Sequence, residues 1–556
     1  MCMSLHRCGG ATTTVFRVAV GSTDVTTIAG LASNRGRNLL HLAEQSPGGA
    51  DLGVVLTNDE DAPVLDAAAE RGVPTEVVER TSGEARVDHE RRILDRLSGY
   101  EFDLVCLDGY MRVLTREFLD GTPTTLNVPP SLLPAFPGMN AHERVLEAGA
   151  RTTGCTVHVV TERVDDGPAV TQEAVPVHED DDRDSLRRRV LYRAEFSAYP
   201  RAVRWFAEGR VDVDHEAETV TVAGDTGGDF PERRLRSEER VRELRYGENP
   251  HQDAALYADP AVQAASVVGA DQLNDGAKAL SYNNYNDADA ALNLVREFDD
   301  PAAAVIKHTN PAGCAVAADL PTAYRDALAT DAKSAFGGIV ALNRRCDAET
   351  AAEITESFKE VVVAPGYTDA ALGVLTETEN LRVLAVGDLD GRAADERVAG
   401  LTEKPLVGGR LVQERNRSDL GVDDLEVVTE REPTGDELAT MLFAWRTMKH
   451  VKSNGVLLAE GRETVGLGVG QVSRVDAVEL AVRKADRDAE GKTPEGAVMA
   501  SDAFFPFPDG VEVAAEAGVE AVVQPGGSVN DDDVVAAADE HDVAMAFTGE
   551  RAFRHD

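Results

Sequence analysis

Lysine is scarce in this chain. Its 556 residues include nine lysines against about five times as many arginines, and none precedes Lys278. Basic charge as a whole is short: Lys+Arg number 56 against 98 Asp+Glu, a formal net charge of −42. Such a surface repels nucleic acid and anionic membranes, which argues against both as partners. Acid excess with so little lysine fits a halophilic protein, whose self-repulsion is screened by salt. Six cysteines (Cys2, Cys8, Cys106, Cys155, Cys314 and Cys346) form no CxxC pair. That spacing fits a reducing cytoplasm and argues against a structural zinc site. No apolar run reaches membrane-spanning length. Residues 1–25 lack the basic and apolar regions of a signal peptide and read as a loose tail, or as a start codon assigned too far upstream. A hydrophobic content of 43% with regular periodicity excludes an acidic disordered chain, and the length predicts two to four domains.

What is present begins with a βαβ rhythm. Thr26–Ala32 reads as a buried strand, Ser33–Asn38 as a polar loop, and Leu39–Glu44 as the start of a helix. Strand, glycine-containing loop and helix aim backbone N–H groups at a phosphate. Arg35, Gly36, Arg37 and Asn38 are therefore candidate substrate-binding residues. The alternation continues with strands at 52–56, 74–78 and 104–107 and helices at 62–71 and 87–97. It predicts a mostly parallel sheet with ligands at the strand C-ends. Residues 211–232 are acidic and rich in glycine, with Ala223–Asp229 in the middle. They read as a connector or as a short hairpin extending the first domain.

The second half centres on Val305-Ile306-Lys307-His308-Thr309-Asn310-Pro311-Ala312-Gly313-Cys314. A short apolar strand, 302–306, delivers Lys307 and His308 side by side, and Asn-Pro-Ala-Gly is expected to break it into a turn. A cationic amine beside an imidazole is an acid–base pair. In a chain that avoids lysine, Lys307 invites a chemical explanation, since arginine does not deprotonate and cannot donate a proton in its place.

Two resemblances organise these observations. Leu107–Leu114 (LDGYMRVL), Leu126–Gly138 (LNVPPSLLPAFPG), Thr153–His158 and Val164–Pro168 resemble, together, the glycinamide ribonucleotide (GAR) transformylase family over residues 26–210. The resemblance implies a Rossmann-like formyltransferase domain using 10-formyltetrahydrofolate as co-substrate. Met111, Arg112, Val113 and Leu114 would face the folate. Asn127 would hydrogen-bond the oxyanion of the tetrahedral intermediate, and Asp165 would order water for proton transfer. The family's histidine, two residues after the Asn, is Pro129 here. Proline has no side-chain donor, and loss of a general acid typically costs about 10²–10⁴-fold. GAR formylation, hydrolysis of 10-formyltetrahydrofolate and a non-catalytic folate- or nucleotide-binding module all remain open for this half.

Leu244–Gln252, Lys278–Asn284, the Lys307-His308 stretch, Ser334–Gly338, Val451–Asn454, Gly470–Arg474, Ser501–Phe507 and Phe553–His555 resemble, in order, the 5-aminoimidazole-4-carboxamide ribonucleotide (AICAR) transformylase family over residues 233–556. This implies two tandem cytidine-deaminase-like α/β units and an active site at a homodimer interface. Zinc deaminase chemistry is not implied, because the HxE and PCxxC clusters are absent. By resemblance His308 would accept the amine proton, Lys307 would act at the leaving side, and Asn454 would orient the formyl oxygen. Arg474 would hold the substrate from a helix start capped by Ser473. Arg245, Tyr246, Lys278, Phe336, Gly337 and Phe504 would complete the nucleotide pocket, and His555 would close it. The GAR-type domain occupies the place where many relatives carry an IMP cyclohydrolase, so ring closure is expected of another protein. The expected fold class is thus α/β throughout: a Rossmann-like parallel sheet, then two cytidine-deaminase-like units. The expected role is that of a cytoplasmic enzyme of purine synthesis that formylates AICAR and, through its first half, GAR.

Overall fold

A computed structural model describes residues 25–224, 230–259, 265–274, 278–389 and 401–555. The tail expected at 1–25 lies, but for Val25, outside the described residues, as do residues 225–229 of the connector. The chain divides into two compact units, 1–234 and 235–556. No helix among the described residues is long and apolar enough to cross a membrane.

In the first unit, strands β1 (Thr27–Ala32), β2 (Asp51–Thr57), β3 (Thr75–Val77), β4 (Leu104–Asp108), β5 (Thr125–Asn127), β6 (Thr152–Val159) and β7 (Ala169–Pro176) form one sheet. Their order is β3-β2-β1-β4-β5-β6-β7. The first five run parallel and the last two antiparallel. Parallel strands are covered on both faces, so their residues are apolar without alternation. Leu104 and Cys106 of β4 feed one core cluster while Val105 and Leu107 feed the other. Strand order reverses between β1 and β4, which opens a crevice at their C-ends, where a doubly wound sheet takes its ligands.

The segment expected as a connector folds as the hairpin weighed beside that reading. Strands β8 (Val211–Asp214) and β9 (Thr219–Val222) pair antiparallel. Glu232 accepts from Trp205 Nε1 at 3.1 Å and from Arg210 Nη1 at 2.8 Å, and the Arg210 guanidinium lies 5.3 Å from the Trp205 ring. These contacts tie the segment to the first unit, which a solvated linker would not do.

In the second unit, β10 (Glu239–Leu244) and β11 (Ala254–Ala258) make a separate hairpin, and β18 (Leu401–Leu406) and β19 (Gly409–Glu414) make another. The other strands are β12 (Asp271–Gln272), β13 (Ala302–Lys307), β14 (Asn310–Val316), β15 (Ile339–Leu342), β16 (Val361–Ala364), β17 (Arg382–Ala385), β20 (Glu426–Val427), β21 (Val456–Glu460), β22 (Glu463–Gly468), β23 (Val498–Ser501), β24 (Ala521–Gln524) and β25 (Ala544–Phe547). They form a twelve-stranded sheet in the order β12-β17-β16-β15-β13-β14-β22-β21-β23-β24-β25-β20.

Its two halves have one topology. Each opens with a short edge strand and a long helix, Tyr282–Val295 or Gly435–Met448. Each continues with an antiparallel hairpin, β13-β14 or β21-β22, and then three mutually parallel strands. The halves meet through the pair Ala315↔Glu463. The repeat reaches single residues. A Cβ on Gly313 of β14 would lie 1.9 Å from the Ala327 carbonyl, and one on Gly466, at the matching register of β22, would lie 2.4 Å from that of Ala481. In both halves a helix presses on the backbone of the second hairpin strand, and only glycine leaves room for it.

This corrects the reading of Asn310–Gly313 as the turn. The turn is His308-Thr309, with Lys307 paired to Asn310 across it, and Asn-Pro-Ala-Gly opens β14. Pro311 is tolerated because the register shifts at Val305/Ile306, opposite it.

Candidate active sites

In the first unit, the phosphate-type loop follows β1 and the Met111–Leu114 segment follows β4, at neighbouring strand C-ends. Ser33 Oγ joins them: it accepts from Met111 N at 3.0 Å and donates to Asn58 Oδ1 at 2.6 Å. Gly36 caps the helix Arg37–Gln45 in the left-handed region (φ 54°), and a Cβ there would meet Val64 at 2.4 Å. Arg35 is exposed and Arg37 half-buried. Asn38 turns away from the loop. It is buried, its N–H donates to Asp108 Oδ2 at 2.7 Å, and its Nδ2 donates to Glu195 Oε2 at 2.7 Å and Asp108 Oδ1 at 3.1 Å. Its expected place on the phosphate is therefore not what its side chain does. Leu114 likewise belongs to the core, whereas Met111, Arg112 and Val113 are exposed. Met111 to Leu114 line a cavity of about 160 Å³ with Arg80, Arg86, His89, Glu90 and Tyr110.

Asn127 and Asp165 come together at the end of β5. Asn127 Nδ2 donates to Asp165 Oδ1 at 3.3 Å, and Gly138 N donates to Asp165 Oδ2 at 2.7 Å. Burial works to raise the Asp165 carboxyl, but bonds from His158, Gly138 and Asn127 outweigh it and hold the group below the usual range. Sequence reasoning quoted His158 within a motif but gave it no role. It lies on β6, almost fully buried, with Nε2 3.5 Å from Asn127 Nδ2 and 3.6 Å from Asp165 Oδ1. Its Nδ1 lies 2.9 Å from the Val159 carbonyl, which can only accept, so Nδ1 carries a hydrogen and Nε2 faces the site. The available signal was a histidine alternating with apolar residues on a buried strand. Pro129 is buried beside it, its carbonyl accepting from Thr156 N at 3.2 Å.

In the second unit, the strand directions bring the C-ends of β13, β22, β23, β24 and β25 to the same sheet edge as the N-ends of β14, β15, β16, β17 and β21. Lys307 Nζ donates to the carbonyls of Phe336 and Gly337 at 3.1 and 3.0 Å. Gly337 adopts φ 67°, and a Cβ on it would sit 3.3 Å from Nζ. Phe336 is 61% exposed and packs on Phe358, ring centroids 5.5 Å apart. His308 is exposed at the turn, and Asn310 Oδ1 accepts from Lys452 N at 3.2 Å, which joins the turn to the Lys452–Asn454 loop. Ser453 N donates to the Arg554 carbonyl at 2.6 Å, drawing in the terminal segment, where His555 packs edge-on against Phe553.

A cavity of about 400 Å³ is lined here by Asn454, Val472 to Val475 and Ala503 to Phe507, with Arg551 and Phe553. Phe504 borders it under the Arg551 guanidinium, 5.1 Å from the ring centroid.

Two expected contacts take a different form. Asn454 Nδ2 donates to the Gln471 and Val472 carbonyls at 2.9 and 2.6 Å, and its Oδ1 accepts from Arg474 at 3.1 Å. Both amide hydrogens are thus spent on the chain itself. Arg474 donates to Ser501 Oγ at 2.7 Å and to Asp502 Oδ1 at 2.6 Å, with 8% and 0% of the Arg474 and Asp502 side chains exposed. It shapes the cavity wall as one half of a buried ion pair. Ser473 takes the N-cap position of helix Arg474–Arg487 without a side-chain cap bond.

Arg245 and Tyr246 stack, guanidinium to ring centroid 5.5 Å, in the loop leaving β10. Arg382, at the N-end of β17, donates to the Lys278 carbonyl at 3.0 Å, and the charge of Arg245 acts on it. Burial is the main cause that lowers the Arg382 guanidinium from its usual value. Arg382 thus brings the charge of Arg245 and the backbone of Lys278 together, a contact that sequence reading had left out. Among the described residues no three His, Cys, Asp or Glu side chains converge as metal ligands.

The class of protein is that of the formyl-transfer enzymes: residues 25–203 match the formyl transferase family. A match to the AICARFT/IMPCHase bienzyme family covers residues 178–484, more than half the chain, and the chain belongs to that family. Curated relatives include the bifunctional purine biosynthesis protein PurH of Rhodospirillum rubrum, 49% identical over 66% of this chain and 67% of the relative. That of Bradyrhizobium diazoefficiens is 50% identical over 66% and 68%. Among solved structures, glycinamide ribonucleotide transformylase 1 from Symbiobacterium toebii is 38% identical, with a TM-score of 0.35 over 37% of this chain and 98% of its own. Phosphoribosylglycinamide formyltransferase from Brucella melitensis is 39% identical, with a TM-score of 0.31 over 33% and 96%.

Proposed function

We propose that this chain serves purine biosynthesis twice, its second unit formylating the amine of AICAR and its first the amine of GAR, both from 10-formyltetrahydrofolate. The observation that carries the first assignment is the convergence on one sheet edge of the Lys307-His308 turn, the Asn454 loop and the Phe504 cavity. The AICAR amine is conjugated to its ring and a poor nucleophile, so its proton must be removed as the formyl carbon is attacked. His308, exposed at the turn, takes that proton. Lys307 spends two hydrogens on carbonyls and keeps its third for the leaving nitrogen. Asn454 and Arg474 act by holding the Gln471–Val472 wall rather than by touching the formyl oxygen.

Exposed Phe336, Val472 and Phe507 form an apolar rim at this edge. That supports completion of the site by a second copy of the chain, and a monomeric mass in solution would refute it. Residues 25–203 match the formyl transferase family, so ring closure to IMP is read as another protein's work. IMP formed from formyl-AICAR by this chain alone would overturn that.

For the first unit, His158 beside Asn127 and Asp165 favours GAR formylation over mere binding, since it keeps an imidazole in the cluster although Pro129 offers none. GAR formylation is measured for wild type, Pro129→His and His158→Asn, with AICAR formylation as internal control. Wild type is expected to turn over and His158→Asn to lose tenfold or more. Turnover by Pro129→His alone would mean that Pro129 disables the unit. Formate release without GAR would mark a hydrolase.

A further inference from the structure

The turn that presents His308 is strained. His308 (φ 51°) and Thr309 (φ 63°) are both left-handed, and they are the two residues between paired Lys307 and Asn310. A two-residue hairpin of this hand is built from Asn-Gly or its like, because the central residues need positive φ. Here neither is glycine, and Thr309 is β-branched and buried. A non-glycine residue persists in this region only where its surroundings over-determine it.

Side chains bond the backbone of this turn, and Asn310 Nδ2 donates to the His308 carbonyl at 3.2 Å. Asp287, in the second turn of helix Tyr282–Val295, accepts from Thr309 N at 2.7 Å. Burial pushes its carboxyl above the usual range, opposed by the Thr309 N–H, the charge of His308, the His308 N–H and the charge of Lys307. Thr309 adds a bond of its own, its Oγ1 donating to the His308 carbonyl at 2.6 Å. The helix that carries Asp287 is itself fixed at its start, where Ser281 and Asn284 cap each other's backbone N–H groups. A rigid helix thus delivers a carboxylate to the inside of the turn whose outside carries the imidazole.

We propose that Asp287 is a positioning residue of the second site: it accepts the backbone N–H of Thr309 in the His308-Thr309 turn and holds the left-handed form that aims His308 at substrate. This rests on the reading that His308 takes the AICAR proton. Asparagine at 287 keeps the accepting oxygen, and alanine does not. Glycine at 309 adopts positive φ without strain, which removes the strain of the β-branched residue and lessens the holding that the turn needs.

The test is AICAR formylation by full-length wild type, His308→Asn, Asp287→Ala, Asp287→Asn and Asp287→Ala/Thr309→Gly. Asp287→Ala is expected to lower kcat about 30-fold with the KM for AICAR within about threefold, Asp287→Asn to stay within about threefold of wild type, and the double variant to recover most of the loss. Hydrogen exchange at the Thr309 amide reads the turn directly and is expected to speed up tenfold or more in Asp287→Ala. Wild-type kcat in Asp287→Ala beside an inactive His308→Asn overturns the proposal, as does a double variant no better than the single. Should Asp287→Ala not fold, failure of Asp287→Asn to hold kcat near wild type does the same. A fully active His308→Asn would instead remove the reading beneath it. Unchanged exchange at Thr309 would then still refute the turn-holding itself.

Discussion

Glu195 and Asp108 are two buried carboxylates that share one amide, the Nδ2 of Asn38. Burial above all, helped by the charge of Asp108 and opposed by the bond from Asn38, pushes Glu195 up to about 7. Asp108 is raised as well, again chiefly by burial. An acid whose folded value exceeds its unfolded value favours the folded state while it is protonated. Its stabilisation is complete below about 4.5 and is lost as pH rises through about 7. Wild type should therefore lose roughly 3 kcal/mol between pH 5 and 8 that Glu195→Gln retains. Chemical denaturation of both at pH 5, 6, 7 and 8 checks this, and parallel curves would show that Glu195 titrates normally. The pair was invisible in the sequence. The string around Asn38 shows a polar residue at a helix start, and only the fold decides that its amide points inward to a glutamate 157 positions away.

Elements were more legible than side-chain directions. As far as β4, the strands and helices of the first unit follow from apolar runs separated by glycine and polar loops, and the observed bounds depart from the expected ones by a few residues at most. The turn in the second unit was misplaced for a definite reason. Asn-Pro-Ala-Gly has turn composition, but its glycine serves a helix rather than a turn, and no local pattern records that Ala327 will press on position 313. Arg474 and Asn454 show the same limit: a resemblance implied contact with substrate, and no local pattern records that the two bond each other and the chain. Two glycines make the point measurable. Gly313→Ala must push the helix Leu320–Ala329 off β14 and should destabilise by about 1–3 kcal/mol. Gly373 lies within helix Asp369–Leu375 with nothing within 4 Å of its Cβ position, so Gly373→Ala should stabilise by about 0.5–1 kcal/mol. Urea midpoints of the two variants should move in opposite directions from wild type. If both moved down, the open space at Gly373 would be an incorrect reading; if both moved up, so would the contact at Gly313.

For the whole molecule, charge sets the conditions under which either unit can be assayed. If every Lys and Arg were matched to an acid, 42 negative charges would remain unbalanced. Added salt weakens both the attraction within pairs and the repulsion among the excess acids. Many of the pairs are exposed, such as Arg91–Asp88 and Arg116–Asp120, and exposed pairs are worth about 0–1 kcal/mol each. The repulsion acts over the whole surface, reaching about 10 Å at 0.1 M salt and about 3 Å at 1 M. Repulsion outweighs the attraction within pairs, so salt should stabilise. The thermal midpoint is expected to rise from 0.1 to 1 M KCl, most steeply at the low end where the screening length changes most. A midpoint that falls, or that climbs only above 1 M, would show that paired charges or solvent exclusion govern stability instead. The same screening bears on the proposed function, because its substrates AICAR, GAR and a folate are all anions and would approach an acidic surface. The KM for AICAR should therefore fall as KCl rises over the same range while kcat changes little, and a KM that rises would place local basic groups such as Arg245, Lys278 and Arg382 ahead of the net charge in guiding substrate.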